Sequence, residues 1–175
     1  YTETYAPETD QGLIYCGEYG LNELLPGNSQ LTVAEALLSS TRTYAPMIKR
    51  VLENVGREYI LGIFHCSGGG QTKIGKFGQM RITYVKDRLF PIPPLFEMLH
   101  QVRGLSWREM FETYNMGHRL EMVVPSRSVA EDCIAIAAEN NIEAKVIGDV
   151  VAGTQSGNNR TLIIRTPGGD EAYDF

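Results

Sequence analysis

The spacing of apolar side chains predicts a chain in which helices alternate with strands. Residues 45–55 show the clearest helical pattern, because their apolar positions recur every three or four residues. Pro46 suits the first turn of this helix, and Gly56 suits its end. The apolar positions are Met47, Ile48, Val51 and Leu52.

Four further helices are predicted from residues that typically begin or end a helix. Thr32 suits an N-cap. Ser106 with Glu109 and Ser128 with Glu131 have the spacing of capping boxes, in which each side chain accepts a backbone N–H from the other residue. The predicted spans are 32–38, 95–102, 106–112 and 128–140. The apolar stripe of the last helix is Val129, Cys133, Ile136 and Ala137.

Strands are predicted from apolar runs and from alternation. Residues 59–65 are predicted as a buried central strand, whereas residues 81–85 alternate in the way that an exposed or edge strand does. Asn158 and Asn159 predict a hairpin turn before a final strand, and residues 168–175 predict a frayed acidic tail. The other predicted strands are 13–16, 120–124, 144–151 and 161–165.

Length predicts one domain of ordinary size, over residues 31–175. A chain of 175 residues is long enough for a core of ordinary size. The order strand–helix–strand–strand between residues 120 and 165 resembles half of a ferredoxin-like unit. Residues 1–30 are rich in turn formers, so we expect a linker or remnant of a preceding part of a longer protein.

Composition narrows the class of protein and its partners. The chain is 43% hydrophobic and 21% charged, which is typical of globular proteins and not of disordered ones. Its net charge of −5 and scattered basic residues argue against nucleic acid or a membrane as a partner. The cysteines Cys16, Cys66 and Cys133 have no repeated spacing, which argues against a disulfide framework or a zinc site and favours the cytoplasm.

The candidate chemistry lies where the apolar run ends. The segment reads His65-Cys66-Ser67-Gly68-Gly69-Gly70. Glycines let a ligand approach the main chain, and the N–H groups of such a turn suit a phosphate. The same residues also suit a tight turn with a histidine capping a strand. The fingerprints of P-loops and dinucleotide sites are absent. Cys66 is interpreted as a small buried thiol rather than a nucleophile.

Three more segments join the glycine segment to make a pattern. They are Ser39-Ser40-Thr41-Arg42-Thr43-Tyr44, Glu109-Met110-Phe111-Glu112-Thr113-Tyr114-Asn115-Met116-Gly117, and Ile147-Gly148. Together they resemble the carboxy-terminal domain of the aminoimidazole ribonucleotide (AIR) synthetase family, also called phosphoribosylformylglycinamidine cyclo-ligases. The family patterns are His-x-Thr-Gly-Gly-Gly, Glu-Met-x-x-Thr-Phe-Asn-x-Gly and Pro-Thr-Arg-x-Tyr. The match covers roughly residues 37–165, in the same order.

This resemblance implies a fold and a reaction. The fold is α+β, with a mixed, curved sheet flanked by helices and a partly ferredoxin-like topology. In the reaction, the formyl amide oxygen of formylglycinamidine ribonucleotide is phosphorylated by ATP, the amidine nitrogen attacks, and phosphate leaves. ATP and Mg²⁺ would be bound mainly by an amino-terminal domain, and the whole protein would be a homodimer. Nothing in residues 1–30 resembles that domain, so this chain alone is expected to be inactive and to bind ATP poorly.

The resemblance also implies a candidate site. His65 would transfer a proton or bind substrate. The substrate- and phosphate-binding candidates are Ser67, Gly68, Gly69, Gly70, Asn115, Gly117, Thr41 and Arg42, and no metal ligand is implied. Asn115 equally suits a helix C-cap, and Arg42 a structural ion pair. His100 and His118 are interpreted as surface or satisfied histidines.

Two segments depart from the family pattern and leave other functions open. Lys73 and Arg119, which lie in these segments, favour a non-catalytic binding module that kept the fold and lost the chemistry. Another ATP-using member of the superfamily, similar to selenophosphate synthetase or thiamine monophosphate kinase, is a further alternative. Gln71-Thr72-Lys73-Ile74-Gly75 stands where the family usually has Asn before Ile-Pro, and His118-Arg119-Leu120-Glu121 where an apolar residue and a second glycine are usual.

Overall fold

A computed structural model describes residues 6–10, 17–27, 30–153 and 159–175. Within these ranges the helices are α1 Val33–Leu38, α2 Ala45–Val51, α3 Pro94–Arg103, α4 Trp107–Thr113 and α5 Arg127–Glu139. The strands are β1 Gly62–His65, β2 Ile82–Lys86, β3 Leu120–Val123, β4 Gly148–Ala152, β5 Thr161–Thr166 and β6 Gly169–Asp174. A π-helical turn over Leu52–Gly56 and 3-10 segments over Arg57–Tyr59 and Gly70–Lys76 complete the list. The strand predicted at residues 13–16 lies outside the described residues.

The strands form two sheets, which confirms the expected α+β class. β1 and β3 pair antiparallel, with Phe64 opposite Glu121 and His65 opposite Leu120. The second sheet has the order β4-β2-β5-β6, and its β2–β5 pair is parallel while the others are antiparallel. The strands of the expected ferredoxin-like half, β3, β4 and β5, therefore lie in different sheets. β3 pairs with β1 in the smaller sheet, whereas β4 and β5 both pair with β2 in the larger one.

The central strand of the larger sheet is β2, so the prediction of an exposed or edge strand at residues 81–85 is wrong. Lys86, at the end of β2, is 3% exposed because its ammonium pairs with Glu121 inside the protein. From the sequence alone, a lysine at this position suggests a side chain in solvent. The hairpin predicted at Asn158–Asn159 would pair β4 with β5. This prediction is also wrong, because β2 lies between these two strands. Residues 154–158 themselves lie outside the described residues.

The carboxy-terminal segment is a strand and not the predicted frayed tail. β6 pairs with β5 along its length, and Tyr173 is buried with its hydroxyl donating to the Arg108 carbonyl at 3.2 Å. The Phe175 ring packs against Gly75. The acidic composition concealed this strand because Tyr173 is its one buried residue, while Asp170 and Asp174 are exposed.

The apolar run at 59–65 forms a shorter and more exposed strand than predicted. β1 begins at Gly62, and Tyr59 belongs to a 3-10 turn. Leu61 is 63% exposed and Ile63 is 36% exposed. The prediction of a buried central strand is therefore wrong, because β1 has a single partner, β3.

Side-chain caps begin three of the helices. Thr32 with Glu35 and Ser106 with Glu109 form capping boxes, which confirms both predicted starts. The capping box predicted from Ser128 and Glu131 is wrong. Ser126 is the N-cap of α5, because its extended backbone lets its hydroxyl accept the N–H of Val129, whereas Ser128 already lies in the first turn. Among the described residues no helix has the length and apolar character needed to cross a membrane.

The β1–β3 sheet lies between two apolar cores. Phe64 packs against the first core, which α3, α4 and the larger sheet form. Leu120 and Met122 pack against the second, which α2 and α5 form. Packing of Phe64 in the first core and the pairing of His65 with Leu120 of β3 therefore hold the carboxyl end of β1, where the glycine segment begins.

Candidate functional site

The three glycines after β1 have different structural roles. Gly69 and Gly70 have φ of 91° and 47°, which favour glycine. Gly70 is buried against the end of α4, where a Cβ would lie 2.5 Å from the Tyr114 carbonyl oxygen. A Cβ on Gly68 would meet no atom within 4 Å. Gly68 is therefore the position at which a ligand can approach the main chain, and Gly70 is required for packing.

The Asn-x-Gly segment forms a closed turn beside the glycines. Asn115 Oδ1 accepts the N–H of Gly117 at 3.0 Å. Gly117 has φ 106°, and a Cβ there would lie 2.8 Å from the Pro93 ring. Tyr114 is the C-cap of α4, so the alternative that Asn115 caps this helix is wrong. The Asn115 side chain shapes the turn that follows the cap.

His65 lies exposed at the end of β1, between two of the other motifs. Its ring is 6.4 Å from the Tyr44 ring, in an edge arrangement. The N–H of the next residue, Cys66, donates to the Arg119 carbonyl at 2.7 Å. The fold therefore brings together His65, the glycine turn and the segment that follows Gly117.

Arg42 lines a cleft together with Tyr44, Gly117 and His118, and its guanidinium donates to the Asn141 carbonyl at 3.0 Å. This contact is a hydrogen bond to the end of α5 and not the ion pair considered as an alternative. Thr41 is exposed beside it. Arg42 therefore remains a candidate for binding an acidic group of a ligand. Its hydrogen bond to the segment that follows α5 orients the guanidinium.

Lys73 brings a cation to the glycine turn. Its ammonium donates to Ser67 Oγ at 2.9 Å, and Ser67 Oγ lies 3.4 Å from the His65 carbonyl oxygen. The sequence pattern counted Lys73 as a departure. In the structure its positive charge lies next to the accessible Gly68, and this combination suits an anionic ligand group.

A buried polar network, which the sequence did not reveal, lies behind the site. Lys86 Nζ donates to Glu121 Oε1 at 2.5 Å, to the Gln71 carbonyl at 2.6 Å and to Gln71 Oε1 at 3.1 Å. Gln71 Nε2 donates in turn to the Asn115 and His118 carbonyls, at 2.5 and 3.2 Å. The network joins the glycine turn, β2 and the Asn115–Gly117 turn.

His118 and Cys66 flank the carboxylate of this network. His118 Nε2 lies 2.8 Å from Glu121 Oε1, which confirms a satisfied histidine. Burial disfavours the charged Glu121, but Lys86 and His118 outweigh it and lower its pKa to about 2. Burial, followed by the Glu121 charge, raises the pKa of Cys66 to about 12. Cys66 is 3% exposed, which confirms the predicted buried thiol.

Cys66, His118 and Glu121 are also the described residues that come closest to a metal site, with ligand atoms within 4.8 Å of one another. The Lys86 ammonium already occupies the cation position on Glu121. Mg²⁺ prefers several oxygen ligands and not a thiol with an imidazole. These residues therefore do not fit a magnesium–nucleotide complex.

A cleft of about 870 Å³ separates α5 and β3 from β2 and β4. Gly117 and His118 line it near the site. Arg42, Arg119 and Lys145 add positive charge, so the cleft suits an anionic ligand better than a neutral one.

Comparison of the sequence with known proteins identifies relatives of this chain. Residues 30–157 match the family model described as AIR synthase related protein, C-terminal domain. The chain is 33% identical over 141 residues to a phosphoribosylformylglycinamidine cyclo-ligase of Methanopyrus kandleri, covering 80% of this chain and 38% of that protein. It is 34% identical over 146 residues to the enzyme of the same name from Geobacter metallireducens, covering 79% and 40%. The chain thus spans about two fifths of the length of these relatives.

Proposed function

Because the chain belongs to the family of AIR synthase related proteins, whose C-terminal domain it matches, we propose that it is the carboxy-terminal part of a phosphoribosylformylglycinamidine cyclo-ligase. The observation that supports this proposal most is the meeting of three separate motifs at the end of β1. The His65–Gly70 segment contacts both Tyr44 of the early motif and the segment that leads into the Asn115–Gly117 turn, although these three motifs are far apart in sequence. Local turn formation alone does not require that arrangement.

The share of this chain in the reaction is to bind the ribonucleotide and to move a proton. When the amidine nitrogen closes the ring on the activated formyl carbon, the nitrogen loses a proton and phosphate leaves. His65 is exposed at the site, and an imidazole accepts a proton near neutral pH. Ser67, Gly68, Gly69 and Lys73 would bind the phosphate group, with Arg42 and Thr41 at the other side.

ATP and Mg²⁺ are part of this proposal for the whole protein. Since Cys66, His118 and Glu121 do not fit Mg²⁺, we assign no step of nucleotide binding to them and expect the remaining three fifths of the protein to supply it. A homodimer of the whole protein, a cytoplasmic location, and the lack of nucleic-acid and membrane partners stay predictions.

The experiment is to measure ADP release by the whole protein with and without formylglycinamidine ribonucleotide. The proposal expects ADP release that depends on this ribonucleotide. Release without it would indicate another kinase of the superfamily. No release from a folded protein under either condition would favour a binding module.

His65→Ala in the whole protein tests the role of the histidine. We expect turnover to fall by about 10²- to 10⁴-fold, the usual contribution of a positioned acid or base, with the same cooperative melt. His100→Ala is a matched control, because His100 stacks on Trp107 away from the site. Unchanged turnover in His65→Ala would assign His65 a structural role.

A further inference from the structure

The two departures from the family pattern meet in space. Gln71 belongs to the first departing segment, and His118 and Glu121 belong to the second. Lys86, from β2, donates to both Gln71 and Glu121 and therefore links the segments. Four polar side chains from three parts of the chain thus depend on one another.

The network has no solvent to replace a missing partner. Gln71 is 0% exposed, Lys86 3% and Glu121 6%. A buried polar group that loses its partner retains its desolvation cost, and Glu121 Oε2 already has no hydrogen-bond partner among the described residues. Lys86 is therefore the group on which the Glu121 carboxylate and the Gln71 side chain both depend.

We propose that Gln71, Lys86, His118 and Glu121 act as one positioning unit, which holds the Asn115–Gly117 turn against the glycine turn and so fixes the anion-binding geometry. Gln71 is the link, because its backbone follows Gly70 directly and its amide group donates to the Asn115 carbonyl. Lys86 fixes both the Gln71 carbonyl and the Gln71 side chain. Glu121 neutralises Lys86 and orients His118, whose carbonyl accepts a second bond from Gln71.

The inference rests on the proposed function only for the identity of the anion. The positioning itself is a property of the fold and can be measured without any ligand. Two readouts therefore separate the two claims: local hydrogen exchange tests the positioning unit, and binding of inorganic phosphate tests the anion site.

The decisive variant is the double substitution Lys86→Met with Glu121→Leu. It removes both charges together, so no unpaired charge stays buried and the fold survives. It also removes the donor to Gln71 and the acceptor for His118. Lys49→Met is the matched control. Lys49 is an exposed lysine paired with Glu53 at 3.7 Å, and this pair makes no contact with the network.

We expect amide exchange in the double variant to accelerate at least about tenfold at residue 70 and over residues 115–119, while β5 and α5 keep their protection. We also expect phosphate binding, followed by the amide shifts of residues 67–69, to weaken about tenfold, the factor for one well-oriented hydrogen bond. Lys49→Met should change neither.

Native exchange at residues 115–119 in the double variant would overturn the proposal, and so would acceleration spread evenly over the domain. Wild-type phosphate affinity with locally fast exchange would also overturn it, because the turns would then move without affecting the site. If the wild-type chain binds no phosphate at residues 67–69, the anion site of the proposed function fails, and the exchange pattern alone decides the positioning unit.

Discussion

Gly70 lies in backbone contact with Tyr114, so closely that a Cβ on Gly70 would lie 2.5 Å from the Tyr114 carbonyl oxygen. This contact joins the glycine turn to the end of α4. The last glycine of the turn is thus dictated by packing, whereas the first one, Gly68, has open space in front of it.

Alanine substitutions at these two glycines should have opposite consequences. Gly70→Ala should lower the free energy of unfolding by about 3 kcal/mol, because it adds a clash to a φ of 47°. Gly68→Ala should change stability by less than about 1 kcal/mol and weaken phosphate binding, because the new methyl group occupies the approach to the main chain. Urea unfolding and phosphate titration of both variants check this. A stable Gly70→Ala would contradict the packing role.

Lys86 and Glu121 should depend on each other for stability. Lys86→Met alone leaves a buried, uncompensated carboxylate and should cost about 3–5 kcal/mol. Adding Glu121→Leu removes that charge and should recover most of the loss. The measurement is a double-mutant cycle by urea unfolding. Lys49→Met, at an exposed pair, should cost less than about 0.5 kcal/mol. Additive effects of the two buried substitutions would show that the groups do not interact.

Acid should destabilise the domain through Glu121. Its pKa falls from 4.5 to about 2 on folding, so below pH 4.5 the unfolded chain binds more protons at this residue than the folded chain does. The stabilisation is complete above pH 4.5, is lost as the pH falls towards 2, and amounts to about 3 kcal/mol. Urea midpoints between pH 2 and 6 measure this slope.

The groups that face Glu121 are the Lys86 ammonium and the His118 imidazole, with the Cys66 thiol beside them. Glu121→Gln should remove the acid-dependent slope that belongs to this residue. Glu53→Gln, at an exposed pair, should leave the slope unchanged. An identical slope in Glu121→Gln would show that other carboxylates cause the acid sensitivity.

The terminal strand should be essential to the fold. Tyr173 is 3% exposed, with the Arg108 guanidinium 4.2 Å from its ring centre. Tyr173→Ala should cost about 3–5 kcal/mol through the cavity that it leaves, and Tyr173→Phe about 1 kcal/mol through the bond to the Arg108 carbonyl. Thermal or urea unfolding measures both. If Tyr173→Ala were as stable as the parent, the segment would behave as the frayed tail that its acidic composition predicts.

The sequence predicted the features that depend on near neighbours. The N-cap at Thr32, the capping box at Ser106 and the end of the α2 region at Gly56 involve residues three or fewer apart, or a single φ angle. The family resemblance and the α+β class followed from short ordered motifs. The wrong capping box at Ser128 also has a local cause. Ser126 and Ser128 both have a hydroxyl that can cap a helix, and the extended backbone at Ser126 makes this residue the N-cap of α5.

The tertiary structure alone decided which polar residues are buried and which strands pair. In the sequence, Lys86, Glu121 and Gln71 read as solvent positions, and their burial depends on partners that lie 15 and 35 residues away from Lys86. The central place of β2 and the pairing of β6 with β5 likewise arise from long-range hydrogen bonds. Local sequence fixes backbone propensity and caps, but the low dielectric of the interior, which makes a paired charge tolerable and an unpaired one costly, exists only after distant segments have met.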